Sequence, residues 1–100
     1  MSKKIAPVHP GEVLSEDFLK PLGMSVSRLA LSLGVPATRM GEIVHGRRAI
    51  TSDTALRLAR FFGTTPEFWM NMQAGYELEI AKDKLSTVIE RTVRPYEATA

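Results

Sequence analysis

The segment from Ser25 to Arg48 constrains this chain more than any other. Leu29, Ala30 and Leu33 recur at helical spacing after Ser25, and Gly34 interrupts them. Pro36 then opens a second short run in which Met40, Ile43 and Val44 share one face, and Gly46 closes it. A helix of two turns is too short to persist alone in water, so each run must bury its apolar stripe against the other. Ala30 is small enough to let the second helix approach. A glycine at the turn accepts the left-handed backbone that other residues resist. The spacing therefore predicts two short helices crossing at a tight turn and followed by the basic corner Gly46-Arg47-Arg48, a helix-turn-helix unit.

The remaining punctuation predicts three more helices. Pro10 and Glu12 suit a helix start, Val13, Leu14, Phe18 and Leu19 give an apolar face, and Lys20, Pro21 and Gly23 stop it. Ser25 caps the second helix, and Val35 turns inward after Gly34. Thr51 or Ser52 caps the fourth, with Asp53 in its first turn, Ala55, Leu58, Ala59 and Phe62 buried, and Gly63 at its end. Thr65-Pro66-Glu67 starts a fifth, with Phe68, Trp69, Met72, Tyr76 and Ile80 along one side. That helix continues toward Leu85 or Ile89, where the pattern weakens. No strand-like alternation, repeat or low-complexity segment interrupts the series. The expected class is all-α with five helices. Residues 9–90 form the domain, residues 1–8 a flexible arm, and residues 91–100 a tail.

Charge gives the first functional bound. Between Lys20 and Arg60 seven basic residues face two acidic ones, while the rest of the chain is net acidic and the whole carries +2. Such segregation suits a surface that meets a polyanion. With 44% hydrophobic and 24% charged residues, the composition is that of a folded soluble domain. The absence of cysteine excludes disulfides and thiolate metal sites and is compatible with a reducing cytoplasm. No apolar run reaches membrane-spanning length, and Met1–Val8 lacks the apolar core of a signal peptide. His9 and His45 have no metal-ligand spacing. No nucleophile elbow, phosphate loop or paired catalytic carboxylate is visible, so neither catalysis, a cofactor nor a metal is expected.

A helix-turn-helix places its second helix in the DNA major groove. Pro36, Ala37, Thr38, Gly41, Glu42 and His45 lie away from the apolar face of that helix, and Arg39 stands near its start. Arginine pairs bidentately with guanine or holds a phosphate, threonine meets a thymine methyl, and glutamate accepts from cytosine. Glu42 equally suits an internal ion pair with Arg39, three residues earlier. Ser25, Ser27 and Arg28 at the start of the preceding helix, with Arg47 and Arg48 after the reading helix, suit phosphate contacts. Arg57 and Arg60 read better as surface or ion-pair residues. The stripe Phe68, Trp69, Met72 and Tyr76 is too aromatic for one short helix of a small bundle to bury completely: it packs on the first and fourth helices, or part of it forms a two-fold dimer contact, for which this helix is the expected seat. Such a dimer spaces two reading heads about 34 Å apart, one turn of DNA.

Several strings go beyond the generic motif. Val35-Pro-Ala-Thr-Arg39, Asp53-Thr-Ala-Leu-Arg-Leu-Ala-Arg60 and Phe62-Gly-Thr-Thr-Pro-Glu-Phe-Trp69 closely resemble the HigA antitoxins, in the XRE (Cro/C1-type) helix-turn-helix group. Proteins of this family are also called plasmid-maintenance antidote or virulence-associated protein I. His9-Pro-Gly-Glu-Val-Leu14 is similar to the family's usual opening, and the likeness covers residues 9 to 73. The resemblance implies a lambda-repressor-like five-helix fold and a bacterial cytoplasmic homodimer that represses its own operon from an operator in its promoter. It further implies a partner, a HigB-type, RelE-like mRNA interferase toxin. By position it puts Thr38 and Arg39 on the reading helix and Ser25, Ser27 and Arg47 near phosphate. Gly41 stands where the family often has a polar residue, and Val26 where the wider group often has glutamine. A stand-alone regulator without a toxin, and a protein-binding helical module, are the competing readings.

Overall fold

Leu14, Leu29, Met40, Ile43, Leu58 and Trp69 come from five separate helices and meet in one layer, each with 0% of its surface exposed. The computed structural model describes residues 6–97, and every regular element among them is helical. Helix α1 runs as an α-helix over Pro10–Val13, widens to a π-helix over Leu14–Leu19, and closes as an α-helix over Lys20–Leu22. Helix α2 spans Val26–Leu33, α3 Ala37–Val44, α4 Ser52–Phe62 and α5 Pro66–Thr92. The five helices match those expected from spacing.

Local chemistry sets most of their ends. The Ser25 hydroxyl accepts from the Arg28 N–H at 3.0 Å, and Thr65 caps α5 in the same way through the Phe68 N–H at 3.1 Å. Thr51 stands before α4, and its side chain makes no capping bond. Pro36 falls one residue earlier than expected: its backbone is extended, and α3 begins at Ala37. Pro21 lies inside the last turn of α1, not beyond it. A proline there cannot donate, and its ring crowds the carbonyl four residues back. The widened turn precedes it, with the Lys20 N–H reaching the Ser15 carbonyl five residues away.

Two features place the helix-turn-helix unit against its support. Gly11 of α1 lies so close to α3 that a methyl group on it would stand 1.8 Å from the Ile43 carbonyl oxygen. The two backbones touch with no side chain between them. From the other side, buried Gln73 of α5 accepts the Ile50 N–H at 2.9 Å and donates to Glu77 at 2.9 Å. The loop after α3 is thereby pinned to α5.

The aromatic stripe on α5 departs from expectation. Trp69 is fully buried, ringed by Phe18, Phe62 and Phe68, and its Nε1–H donates to the Thr64 hydroxyl at 2.7 Å. It has no surface left for a second copy. Met72 packs against the core, and Tyr76 stands edge-on to His9 with ring centres 4.9 Å apart. Phe68 alone of the four is exposed. Beyond Ala81 every described residue of α5 is exposed, Leu85, Val88 and Ile89 among them. The helix therefore leaves the bundle as a rod, and the molecule measures 59 × 34 × 22 Å. Helix continues through Thr92, past the expected start of the tail; Val93–Glu97 carries no regular structure, and residues 98–100 lie outside the described residues. Of the expected arm, residues 1–5 also lie outside them.

Candidate nucleic-acid interface

The turn between α2 and α3 closes as the sequence requires. Gly34 has φ 72°, the Val35 N–H reaches the Ala30 carbonyl at 3.0 Å, and the Gly34 N–H reaches Leu31 at 3.2 Å. This paired closure satisfies the last carbonyls of α2 and turns the chain sharply. Ala30 is buried beneath it, and Val35 packs against the core.

Helix α3 then buries Met40 and Ile43 and offers its other side. Ala37, Thr38 and His45 are exposed, while Arg39, Gly41 and Glu42 are half-buried. The His45 Nδ1–H donates to the Gly41 carbonyl at 2.8 Å, which leaves Nε2 free to face outward. Gly41 has nothing within 4 Å of where a methyl group would stand. Its lack of a side chain is thus not demanded by the chain's own packing.

The ion pairs around α3 differ from the one read in sequence. Glu42 pairs with the Arg48 Nε at 3.0 Å, not with Arg39. Arg39 instead reaches Asp53 on α4, Nη1 to Oδ2 at 3.0 Å. Asp53 also receives the Arg57 Nε at 3.2 and 3.1 Å, and the Arg57 Nη1 donates to the Leu33 carbonyl at 2.8 Å. The hydrogen bond from Arg57, with that from Arg39 and the charge of both, holds the Asp53 carboxyl below its ordinary pKa. Arg57 is the ion-pair residue expected. Asp53 had been read only as a first-turn acid, although its i,i+4 spacing to Arg57 was a readable signal.

Ser25, Ser27, Arg28, Arg47 and Arg48 are all exposed. Ser25 uses a lone pair for its cap, so its hydroxyl hydrogen remains available to an anion. These residues flank α3 in the chain on both sides.

His9 was missed as a structural residue. Its Nδ1 accepts the Gly11 N–H at 2.8 Å and caps α1. Burial pushes its pKa down, partly offset by a hydrogen bond to the Arg48 backbone. The residue thereby links the start of α1 to the corner after α3. Among the described residues no cluster of His, Asp or Glu could hold a metal ion, and no helix is long and apolar enough to cross a membrane.

Known proteins share this architecture. The helix-turn-helix family model matches residues 16–69. Virulence-associated protein I of Dichelobacter nodosus is 51% identical over 80 residues, 79% of this chain and 74% of that protein. Antitoxin HigA-1 of Vibrio cholerae is 37% identical over 75 residues, 75% of this chain and 70% of that protein. An addiction module antidote protein of the HigA family from Coxiella burnetii superposes with a TM-score of 0.87 at 49% identity, covering 92% of this chain and 100% of that one. The Pseudomonas aeruginosa antitoxin HigA, solved with the higBA promoter, superposes with a TM-score of 0.89 at 40% identity, covering 91% and 99%. The chain belongs to the XRE-type helix-turn-helix family that includes the HigA antitoxins.

Proposed function

We propose that this protein is an antitoxin that binds an operator in its own promoter as a homodimer, represses that operon, and neutralises a HigB-type, RelE-like mRNA interferase. One observation carries the DNA-binding part. Helix α3 turns Ala37, Thr38 and His45 outward, with Arg39 at its start and Ser25, Ser27, Arg28, Arg47 and Arg48 exposed around it. A surface so composed combines base-reading and phosphate-holding groups on one short unit. The P. aeruginosa relative solved with promoter DNA supports the same use. A chain that works on an operator works in the cytoplasm.

The dimer seat favoured here lies further along α5 than the buried Trp69. Leu78, just before the projecting rod, and Leu85, Val88 and Ile89 on it are each about half exposed and recur near heptad spacing. Phe68 stays exposed at the near end, and Met72 and Tyr76 contribute at most their outer edges.

Two experiments test the reading. A gel shift on the protein's own upstream DNA is expected to give tight binding that falls steeply between 50 and 200 mM salt. The double variant Thr38→Ala, Arg39→Ala is expected to bind that DNA no better than a random duplex. Equal binding of operator and random DNA by the wild type would remove sequence-specific recognition. Co-expression with the product of the adjacent gene is expected to rescue growth and give a co-purifying complex. Failure of both would leave a regulator without a toxin.

A further inference from the structure

The relay from Leu33 through Arg57 and Asp53 to Arg39 has no part in the core, yet it ties together α2, α4 and α3. We propose that Asp53 is a positioning residue for sequence specificity, holding the Arg39 guanidinium through Nη1 so that its remaining N–H groups meet a base edge. The inference rests on the DNA-binding reading given above.

Three observations support it. First, the Arg39 side chain is only 30% exposed although it leaves the start of a surface helix, so its reach is already restricted. Its Nη1 is engaged by Asp53 Oδ2, and a guanidinium has N–H groups in a planar fork left over for a second partner. Second, Asp53 does not swing freely. Both its oxygens are held by the Arg57 Nε, and Arg57 is itself anchored to the carbonyl at the end of α2. Third, Arg39, Asp53, Arg48 and Thr51 line one open groove of about 290 Å³ beside α3, so the buttress sits at the surface that DNA would cover.

An unbuttressed arginine loses several rotatable bonds' worth of freedom when it pairs with a base, and it pairs as readily with any phosphate nearby. A carboxylate that tethers one of its nitrogens removes part of that ordering cost and favours one geometry. The same carboxylate repels phosphate. Asp53 therefore lowers affinity for DNA in general while it raises discrimination between sequences.

That opposite movement gives the test. Affinities are measured at one salt concentration for the chain's own upstream DNA and for a random duplex of equal length. The proteins are the wild type, Asp53→Asn, Arg39→Ala, the double variant, and Arg57→Lys, which keeps the charge but loses the fork. Asp53→Asn is expected to bind random DNA as tightly as the wild type or more so, while its operator-to-random ratio falls roughly tenfold, the scale of one bidentate base contact. In the Arg39→Ala background the same substitution is expected to leave the ratio unchanged. Arg57→Lys is expected to lower the ratio severalfold with random-DNA binding unaltered.

If Asp53 merely masks Arg39, operator and random binding rise together and the ratio holds, which overturns the proposal. An equal fall of the ratio with and without Arg39 overturns it too, since Asp53 would then act by another route. A wild type with no operator preference overturns the DNA-recognition reading and this inference together. A preference that survives Asp53→Asn and Arg57→Lys overturns this inference alone.

Discussion

Gly11→Ala is the perturbation that most directly examines how the reading helix is held. The added methyl carbon would lie 1.8 Å from the Ile43 carbonyl oxygen and 2.7 Å from its carbon. An ordinary carbon–oxygen approach is about 3.3 Å, so α1 and α3 must part by about 1.5 Å. Neither group is the tip of a flexible side chain, so no rotamer change relieves the contact. Overpacking of this kind costs about 1–3 kcal/mol, and a backbone obstacle puts the cost at the upper end. The new methyl also stands 3.1 Å from the His9 Nδ1 that caps α1, so the cap is disturbed, at about 1 kcal/mol. Alanine's better helix propensity returns about 1 kcal/mol. The net loss is about 3 kcal/mol. At 4–8 °C per kcal/mol for a domain of this size, Tm should drop by about 12–24 °C. Thermal unfolding followed by circular dichroism, at fixed chain concentration, measures this. Gly75→Ala is the matched control, because nothing lies within 4 Å of its added methyl. It is expected to match or slightly exceed the wild type. A Gly11→Ala melt within about 3 °C of the wild type would refute the close backbone contact.

Three further outcomes are expected. Gln73→Leu leaves the buried Ile50 N–H without an acceptor and should lower stability by about 1–3 kcal/mol in urea unfolding; a neutral result would mean the loop is held otherwise. Trp69→Ala should cost about 3–5 kcal/mol even at high dilution, as a buried ring does, whereas a small cost that grows with chain concentration would return Trp69 to a dimer contact. The third outcome concerns pH. Burial lowers the folded pKa of His9 below the unfolded value near 6.5, so the unfolded chain binds a proton first as pH falls. The stability due to neutral His9 is complete above about pH 6.5 and declines as pH drops toward the lower folded value. His9→Asn, which can cap without titrating, should flatten the stability slope as pH falls below about 6.5; an unchanged slope would assign it to other groups.

What was legible in the sequence follows the range of each interaction. Ser25, Gly34, Thr65 and Pro66 act on their own or adjacent turns, and their types announce that action. The helix count and the exposed side of α3 followed from such signals together with the spacing of apolar residues. Glu42 shows the first failure, because two cations lie within its reach and only packing decides that it pairs with Arg48. The Arg39–Asp53 pair joins residues 14 apart, and the Gln73–Ile50 bond joins residues 23 apart. No local pattern encodes such meetings. Trp69 was misread for a related reason. The stripe on α5 exceeds what one face can bury, but which members stay outside depends on where Phe18 and Phe62 arrive. Gly11 carried no signal at all until α3 was known to lie across it.

Helix α5 begins as part of the core and ends as an exposed rod. Its 27 residues extend about 40 Å. Past Ala81 it keeps a helix's internal bonds, and every described residue of it is exposed. A segment of that length is marginal in isolation. If two copies pair along it, the free energy of ordering the rod becomes part of their dissociation constant. Dilution then does two things at once: it separates the reading heads and frays the rod from its free end, while the bundle around Trp69 stays folded. The cellular amount of the chain, through mass action, would set how often the two heads are joined.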